Sequence, residues 1–404
     1  MVTRTDILVA GAGAAGLTTA IALAGAGFSV AVRGDLDTRR NGRTVALFEA
    51  SLRLYRALNI WDRLAPLAMP IEMIRIIDDT GSFLPTPTLE LNAEEIDLDA
   101  FGANIENAAL VTALAAIARV TPGVSLKAGM VGDYAFGADH ARAITADGEE
   151  IEAQLIVGAD GRNSPLREAA AITFRKWDYP QVALTALLSH SRPHWRSSTE
   201  FHTRQGPCTL VPLPAEGGSR HRSSLVWLMS AVEAERRMAL SEPDLAGEIE
   251  HQVHRLHGAI TLEGPRGAFP IAGLKCDKMV APRVALVADA AHFFPPIGAQ
   301  GLNLGLRDVA QLVESLDVYG RDDAGCDQAL KTYDRRRRLD VGTRSLGVDI
   351  LNRSLLWDTP PVDLARGMGI IAMAAIGPLR RALLREGVTP PGRLPALMCA
   401  VRER

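Results

Sequence analysis

The chain of 404 residues is longer than a single hydrophobic core usually allows, so we expect two lobes or one elaborated domain. Its 47% hydrophobic and 23% charged residues are typical of a globular protein and argue against extensive disorder. A formal net charge of -3 at pH 7, without a basic stretch interleaved with aromatic residues, argues against a nucleic-acid partner.

The N-terminal segment predicts a strand, a glycine-rich turn, a helix and a second strand. Residues 6–10 indicate a first strand that is apolar from Ile7 to Ala10, residues 17–24 favour a helix, and residues 28–32 indicate a second buried strand. The turn has the GxGxxG pattern of a dinucleotide-binding unit, whose glycines let backbone N–H groups approach a pyrophosphate at a helix N-terminus. The predicted cofactor contacts are Gly11, Gly13, Ala14, Ala15 and Gly16.

The second strand departs from this pattern at its end. An Asp or Glu usually stands there to bind the ribose, but here Val32 is followed by Arg33, with Asp35 and Asp37 slightly later. Two interpretations stay open: Arg33 meets a phosphate, or Asp35 replaces the usual acid. For Asp35, cofactor binding and a solvated loop position carry equal weight.

The middle of the chain changes character twice. Apolar residues recur at helical spacing over residues 45–67 and again over 107–119, and residues 153–159 indicate another buried strand. Between residues 177 and 273, apolar stretches alternate with turns, which is typical of a mainly antiparallel sheet. We therefore predict an α/β fold with a discontinuous Rossmann-type domain (1–70, 104–175 and 275–345), a mainly antiparallel β-sheet substrate domain (71–103 and 176–274) and a C-terminal helical region (346–404).

Two further motifs follow predicted strands. Residues 157–164 read Val-Gly-Ala-Asp-Gly-Arg-Asn-Ser and contain Asp160 and Gly161. Residues 284–292 end in Asp289-Ala-Ala-His292, and residues 295–308 then read Pro-Pro-Ile-Gly-Ala-Gln-Gly-Leu-Asn-Leu-Gly-Leu-Arg-Asp. A carboxylate at a strand end suits a cofactor hydroxyl group.

In this order and spacing, the three motifs resemble those of the single-component flavoprotein aromatic hydroxylases, over nearly the whole chain. Residues 62–64, 102–107 and 300–308 narrow the resemblance to the bacterial hydroxylases of ubiquinone biosynthesis. The resemblance implies FAD as the cofactor and places further residues around it. These are Arg43 beside the flavin, Asn107 near the ribityl chain, Asp160 and Gly161 at FAD and transient NAD(P)H, and Asp289 at the ribityl chain.

The same resemblance implies an FAD-dependent monooxygenase that hydroxylates the ring of a polyprenylated phenol. NAD(P)H reduces FAD, and O2 as co-substrate forms a C4a-hydroperoxyflavin whose distal oxygen is delivered to the ring. The loop and helix start at residues 298–303 are expected to hold backbone N–H groups near the flavin and to stabilise its reduced, negatively charged form. The predicted contacts there are Pro296, Gly298, Gln300, Gly301, Leu302 and Asn303.

The catalytic candidates are weaker. His292 is a candidate base, against the more frequent case of a structural histidine, and Pro295 is expected to shape the loop beside the flavin. The family usually has Gly before the ribityl-binding acid, whereas this chain has Ala288. A flavoprotein reductase of an isoprenoid lipid and a non-catalytic flavin-binding scaffold of a biosynthetic complex are the alternative functions.

Location and partners follow from the cysteines and the C-terminal end. The four cysteines lie far apart without a CxxC pair or metal-ligand spacing, so we expect reduced thiols, no metal and a cytoplasmic protein. Residues 360–404 hold seven Arg against three acidic residues. Such a tail suits peripheral contact with the inner, anionic face of a membrane, or it is a solvated helical tail packed on the body.

Overall fold

The computed structural model describes residues 2–82, 86–296, 298–356, 360–390, 392 and 394–399. Ile297 of the third motif and residues 400–404 of the predicted C-terminal region lie outside the described residues. Within the described ranges the strands form two eight-stranded sheets and one three-stranded sheet.

The strands are, in chain order, β1 (Thr3–Ala10), β2 (Val30–Arg33), β3 (Thr44–Phe48), β4 (Ala68–Ile71), β5 (Met73–Asp78), β6 (Leu89–Asn92), β7 (Gly102–Glu106), β8 (Val124–Lys127), β9 (Val131–Phe136), β10 (Ala141–Thr145), β11 (Glu150–Gly158), β12 (Phe174–His190), β13 (Ser197–Thr203), β14 (Gly206–Leu213), β15 (Arg222–Ser230), β16 (Ile260–Cys276), β17 (Val280–Ala281), β18 (Val284–Leu286) and β19 (His292–Phe293). The α-helices are α1 (Ala14–Gly25), α2 (Glu49–Ala57), α3 (Trp61–Leu64), α4 (Asn107–Val120), α5 (Pro165–Ala169), α6 (Ala231–Ala239), α7 (Glu242–Gln252), α8 (Gln300–Tyr319), α9 (Asp327–Leu356), α10 (Pro360–Ala375) and α11 (Gly377–Val388). Short 3-10 turns lie at Ala65–Leu67, Ala93–Ile96, Ala288–Ala290 and Ala396–Met398.

The first sheet carries the nucleotide-binding pattern. Its strand order is β17-β18-β11-β1-β2-β8, and the pairs from β18 to β8 are parallel. The carboxyl-terminal halves of β1 and β11 are buried apolar runs, as expected where both faces of a sheet are covered, and β2 is buried along its whole length. On the helical side, α1 packs against α4 and α8. The β1–α1–β2 unit predicted from the glycine turn is therefore present.

The second sheet has the order β19-β16-β12-β15-β14-β13-β5-β6 and is antiparallel except for the β13–β5 pair. Together with the first sheet and the C-terminal helices, it confirms the predicted α/β fold class with a mainly antiparallel second sheet. The exact boundaries between the lobes stay a prediction.

The helix predicted over residues 45–67 is wrong at its start. Residues Thr44–Phe48 form β3, which pairs antiparallel with β7, and the helices α2 and α3 follow it. An apolar run of this length fits a buried strand as well as a helix. Here the strand is favoured because a partner strand, β7, lies 58 residues later in the chain. Local spacing alone does not reveal such a partner.

The C-terminal helices α10 and α11 pack beside β6. Across the described segments, no single helix combines the length and the apolar character needed to cross a bilayer, and Asp363–Ala375 with Gly377–Val388 pass that test only as a pair bent by 103°.

Candidate active site

Strand register brings the three sequence motifs to one edge of the first sheet. Ala10 of β1 lies beside Gly158 of β11 and Arg33 of β2, and Gly158 lies beside Leu286 of β18. The motif residues follow directly after these positions, so they meet at the carboxyl ends of parallel strands, where open α/β sheets bind ligands. We call the group formed by residues 11–16, 34, 160–162 and 288–289 the nucleotide edge.

Glycines shape the nucleotide edge by letting backbones approach closely. A Cβ on Gly11, whose φ is +113°, would lie 2.2 Å from the carbonyl oxygen of Ala159. A Cβ on Gly16 would lie 2.1 Å from the carbonyl oxygen of Gly11, whereas one on Gly13 would meet nothing within 4 Å. Gly11 and Gly16 therefore pack the turn, and Gly13 faces open space where a pyrophosphate fits.

Asp160 and Gly161 lie beside this turn. Asp160 Oδ2 accepts a hydrogen bond from the Leu166 N–H at 3.2 Å, while its Oδ1 is buried with no partner among the described residues. Burial raises the pKa of the Asp160 carboxyl above its usual value. Gly161 has a φ of +83° and open space where a side chain would be. Asp160 therefore offers a buried acceptor without a donor next to Gly161, where the chain leaves open space, and a ligand hydroxyl group would satisfy that acceptor.

Asp289 forms an electrostatic group with two arginines. Burial raises the pKa of its carboxyl, and the positive charges of Arg162, His292 and Arg43 oppose that rise. The Arg162 guanidinium lies 3.9 Å from the centre of the Phe293 ring, and that of Arg43 lies 5.4 Å from the centre of the Phe269 ring. The two arginines therefore reach from the nucleotide edge to β19 and β16 of the second sheet.

Below Asp289, a fully buried carboxylate holds the turn in place. Asp308 Oδ2 accepts hydrogen bonds from the Ala288 N–H at 2.9 Å and from His292 Nε2 at 2.7 Å, and its Oδ1 accepts one from Arg337 Nε at 2.7 Å. Burial alone would raise the pKa of Asp308, but the charges of His292 and Arg337 and the hydrogen bonds hold it below the usual value. Asp308 therefore stays ionised and fixes the residue that precedes Asp289.

This arrangement bears on the two catalytic candidates. His292 is 2% exposed, its Nε2 is engaged by Asp308, and its Nδ1 is buried without a partner among the described residues. Its geometry favours positioning of the turn over proton transfer, although a direct role stays an untested prediction. Pro295 is buried and Pro296 exposed in the loop that follows, and their effect on the loop beside the flavin stays a prediction.

The loop leads into the N-terminus of α8. Gly298 has a φ of +62°, Ala299 has a φ of +50°, and the helix has neither a side-chain cap nor an acidic residue in its first turn. The N–H groups of Gln300, Gly301 and Leu302 belong to this first turn, whose dipole end is positive. The helix begins at Gln300, within residues 298–303.

Asn303 differs from its neighbours because the protein itself uses its whole side chain. Its Oδ1 accepts hydrogen bonds from the Phe48 N–H and from Ser51 Oγ, and its Nδ2 donates to the carbonyl oxygens of Ala46 and Ala299. The side chain joins β3 and α2 to the start of α8. A cofactor contact at Asn303 is therefore left to its backbone.

Three other predicted residues flank the edge. Arg33 is 1% exposed and forms a bidentate ion pair with Glu149, with Nε–Oε2 at 2.8 Å and Nη2–Oε1 at 2.9 Å, so the interpretation that it meets a phosphate is wrong. Asp35 is exposed, and its Oδ1 accepts a hydrogen bond from the Gly129 N–H at 3.2 Å. The Asn107 N–H donates to the Arg43 carbonyl oxygen at 3.0 Å, which places the start of α4 beside Arg43.

Sequence reasoning missed three residues that build the site. A Cβ on Gly34 would lie 2.6 Å from the Ala12 nitrogen, so a glycine is needed directly after β2. Its position after the second predicted strand was a usable signal. Arg162 and Asp308 lay inside recognised motifs but had no role assigned, because their partners are distant in sequence.

These residues fit FAD. The α1 and α8 N-termini both lack a side-chain cap and an acid in the first turn, which suits the pyrophosphate and the reduced flavin. The unpartnered Asp160 Oδ1 and the Asp289 carboxyl suit hydroxyl donors. Gly13 and Gly161 leave room beside them.

Comparison with known proteins gives the same cofactor. The model of the FAD binding domain family matches residues 4–345. The chain is 33% identical over 392 residues to the ubiquinone hydroxylase UbiL of Rhodospirillum rubrum, covering 95% of this chain and 89% of that protein. It is 30% identical over 393 residues to the 3-demethoxyubiquinol 3-hydroxylase of Escherichia coli, covering 94% and 97% of the two chains.

Solved structures share the fold at lower sequence identity. The p-nitrophenol 4-monooxygenase of Pseudomonas putida superposes with a TM-score of 0.77 at 17% identity, covering 98% of this chain and all of that one. A variant of HpxO from Klebsiella pneumoniae complexed with FAD has a TM-score of 0.74 at 18% identity, covering 95% and 98%. The predicted family and the predicted cofactor FAD are confirmed. The chain therefore belongs to the FAD binding domain family, and it is an FAD-dependent monooxygenase of the group that contains the ubiquinone hydroxylases.

Proposed function

We propose that this protein uses NAD(P)H and O2 to hydroxylate the aromatic ring of a polyprenylated phenol on the route to ubiquinone. The observation that carries the proposal is the end-to-end similarity to two hydroxylases named for ubiquinone or its precursor, at 33% and 30% identity. The nucleotide edge supports it, because each element that FAD needs stands at one sheet edge.

The chain's own residues divide the work of holding the cofactor. The α1 N-terminus and the turn at Gly11, Gly13 and Gly16 bind the pyrophosphate, and Asp289 accepts a hydrogen bond from the ribityl chain. Asp160 Oδ1 accepts a further hydroxyl hydrogen, which removes its unsatisfied state. Asp308 positions Asp289 through the Ala288 N–H.

When bound, FAD would supply the redox chemistry, namely hydride acceptance from NAD(P)H and activation of O2 for transfer to the ring. The α8 N-terminus stabilises the negative charge that follows reduction, and Arg43 and Arg162 add positive charge on the side of the second sheet. Gly42 closes the approach between the lobes, since a Cβ there would lie 3.1 Å from Ala186 Cα. The phenol ring would be oriented between these groups, beside the partly buried rings of Phe269 and Phe293.

We also propose where the protein meets its substrate. A phenol with a long isoprenoid tail resides in a membrane, so the enzyme takes it up at the membrane surface, either directly or as part of a biosynthetic complex. NAD(P)H binds transiently on the FAD lobe at Asp160 and Gly161.

The test follows the flavin spectrum. The purified holoenzyme is mixed anaerobically with NADH or NADPH, with and without a short-chain polyprenylphenol, and O2 is then admitted. We expect flavin reduction to accelerate when the phenol is present and a hydroxylated phenol to form with O2. Reduction by NAD(P)H with a reduced isoprenoid and no O2 consumption would identify a reductase instead. Bound FAD that never accepts hydride would identify a scaffold.

A further inference from the structure

The helices α10 and α11 expose a group of large apolar side chains. Leu364 is 55% exposed, Met368 58%, Ile376 48%, Leu379 40% and Leu383 49%. Leu364 and Met368 are four residues apart on α10, as are Leu379 and Leu383 on α11, so each pair shares one helix face. Ile376 lies at the bend between the helices. We call these five side chains the hairpin surface.

The opposite faces of the two helices are anchored to the body. Ile370, Leu384 and Val388 are buried in one cluster with apolar residues of β6 and its neighbours. Arg380 Nε lies 2.6 Å from Glu95 Oε2, and Arg385 Nη2 lies 3.0 Å from Asp97 Oδ2. The hairpin surface is therefore presented outward by a fixed support.

Ion pairs hold most of the charge around the hairpin surface: Arg366 pairs with Asp363, Arg380 with Glu95 and Arg385 with Asp97, which leaves Arg381 to add positive charge. Residues 363–388 contain four arginines and two acidic residues. Both acids turn to arginines: Asp363 accepts from Arg204 and Arg366, and Glu386 pairs with Arg344. Arg381 is exposed between Leu379 and Leu383. The surface offers apolar and positive groups together.

We propose that the hairpin surface docks on an anionic lipid bilayer, with the five apolar side chains inserted at the interface and Arg381 among the headgroups. Apolar side chains with interleaved arginines are typical of helices that lie in a membrane interface, and anionic lipids complement their charge. A two-fold contact with a second copy would bring the exposed Arg381 of both copies to one interface, whereas anionic headgroups complement that charge, so the bilayer fits better. This proposal rests on the proposed function, since docking brings the enzyme to a membrane-dissolved substrate.

The test measures vesicle binding of the FAD-bound protein. Vesicles of phosphatidylcholine with phosphatidylglycerol, and vesicles of phosphatidylcholine alone, are floated with the holoenzyme at low and high salt. We expect preferential binding to the anionic vesicles, and L379D/L383D should weaken it by about tenfold or more. Arg381→Glu should weaken binding several-fold and reduce its salt dependence.

Two further variants test whether the loss of vesicle binding is specific to the hairpin surface. Leu364→Asp with Met368→Asp tests the same surface on the other helix, and Val120→Asp places the same charge at a 67% exposed position on α4. The first should lose vesicle binding and the second should keep it, with flavin content unchanged in both. Equal binding by all variants, or no binding by the wild-type protein, overturns the proposal. The proposal would also be overturned if the wild-type protein formed dimers without vesicles and the hairpin variants were monomers, because a second copy would then cover the hairpin surface.

Activity separates this proposal from the proposed function. The hairpin variants should hydroxylate a water-soluble, short-chain phenol as the wild-type protein does, and should lose rate only with a long-chain phenol supplied in anionic vesicles. A protein that hydroxylates neither phenol but needs the hairpin surface for vesicle binding would refute the function and leave docking intact.

Discussion

The nucleotide edge and one end of the second sheet each bury polar side-chain atoms that no described residue satisfies. At the nucleotide edge, the unpartnered atom is Asp160 Oδ1, with the half-buried Asp289 carboxyl nearby. At one end of the second sheet, four histidines form what we call the histidine cluster, and both ring nitrogens of His257 lack partners. Its members are His190, His194, His221 and His257.

The surroundings of the two regions differ. Next to Asp160, Gly161 leaves space for a ligand that would supply the missing donor, and Gly13 leaves further space at the same sheet edge. Beside His257, the ring of His190 stacks with its centre at 4.5 Å, which fills the space with protein. An unsatisfied buried atom therefore points to a ligand only where the backbone leaves room for one. In the histidine cluster, burial lowers the pKa of His190, His194 and His257 and so favours their neutral form.

The largest effect should come from Gly11→Ala, which tests whether backbone contact builds the nucleotide edge. The new Cβ would lie 2.2 Å from the Ala159 carbonyl oxygen at a φ of +113°. We expect FAD affinity to fall at least about 100-fold, or about 2.7 kcal/mol, together with the stability of the FAD-free protein. Fluorescence titration of FAD and thermal unfolding measure the two losses.

Gly13 and Gly25 supply the matched comparison for that variant. Gly13→Ala adds a Cβ in open space, so it should weaken FAD binding while leaving the FAD-free protein stable. Gly25→Ala at the end of α1 should change neither property. Equal losses of FAD-free stability at Gly11 and Gly13 would contradict the division between packing and ligand-facing glycines.

Asp308→Ala tests the fully satisfied group beneath the edge. The substitution removes the carboxylate that accepts hydrogen bonds from Ala288, His292 and Arg337. The buried Arg337 guanidinium then keeps Asp340 as its ion-pair partner. We expect the free energy of unfolding to fall by about 3–5 kcal/mol, as for removal of one partner from a buried ion pair. Denaturant unfolding measures it, and a loss under about 1 kcal/mol would mean that the turn holds without Asp308.

The nucleotide edge was largely predictable because its residues follow directly after strands. Gly11, Asp160 and Asp289 each end a buried apolar run, and parallel strands bring such positions together. The ion pair of Arg33 with Glu149 was not predictable, because the partners are 116 residues apart and only strand order brings them together. Contacts across such distances leave no local pattern in the sequence.

The histidine cluster predicts a loss of stability in acid. Burial lowers the pKa of His257 to about 3 and that of His194 to about 4, helped by the charge of His190. Because folded pKa values below 6.5 disfavour protonation, stability is full above the unfolded pKa and falls as pH drops through about 6 toward these values. Arg75 and Arg196 add to this effect, and Glu263 opposes it at His190.

Between pH 7.5 and pH 5, we expect the free energy of unfolding of His257→Phe to fall by about 1–2 kcal/mol less than that of the wild-type protein. Denaturant unfolding of the holoenzyme at several pH values measures the difference, with the exposed His251→Gln as control. The distinction between a ligand site and a protein-filled cluster would be contradicted if His257→Phe changed FAD affinity and left the free energy of unfolding unchanged. It would also be contradicted if the acid loss were the same in both variants.

The smallest effect should come from Ala288→Gly, at the position where the family usually has glycine. Ala288 has a φ of +52°, which costs an L-residue about 1 kcal/mol, while the freer unfolded chain of glycine offsets about half of that. A net gain of about 0.5 kcal/mol is expected, because the Ala288 N–H stays bound to Asp308. Ala171→Gly, at a φ of +51° away from the edge, should give the same gain in stability without changing FAD affinity. A loss of stability in Ala288→Gly would contradict this expectation. It would mean that packing of the Ala288 Cβ against Gly305 stabilises the protein by more than the backbone strain at Ala288 costs. The absence of a side chain at Gly305 would then be the reason that alanine is tolerated at position 288.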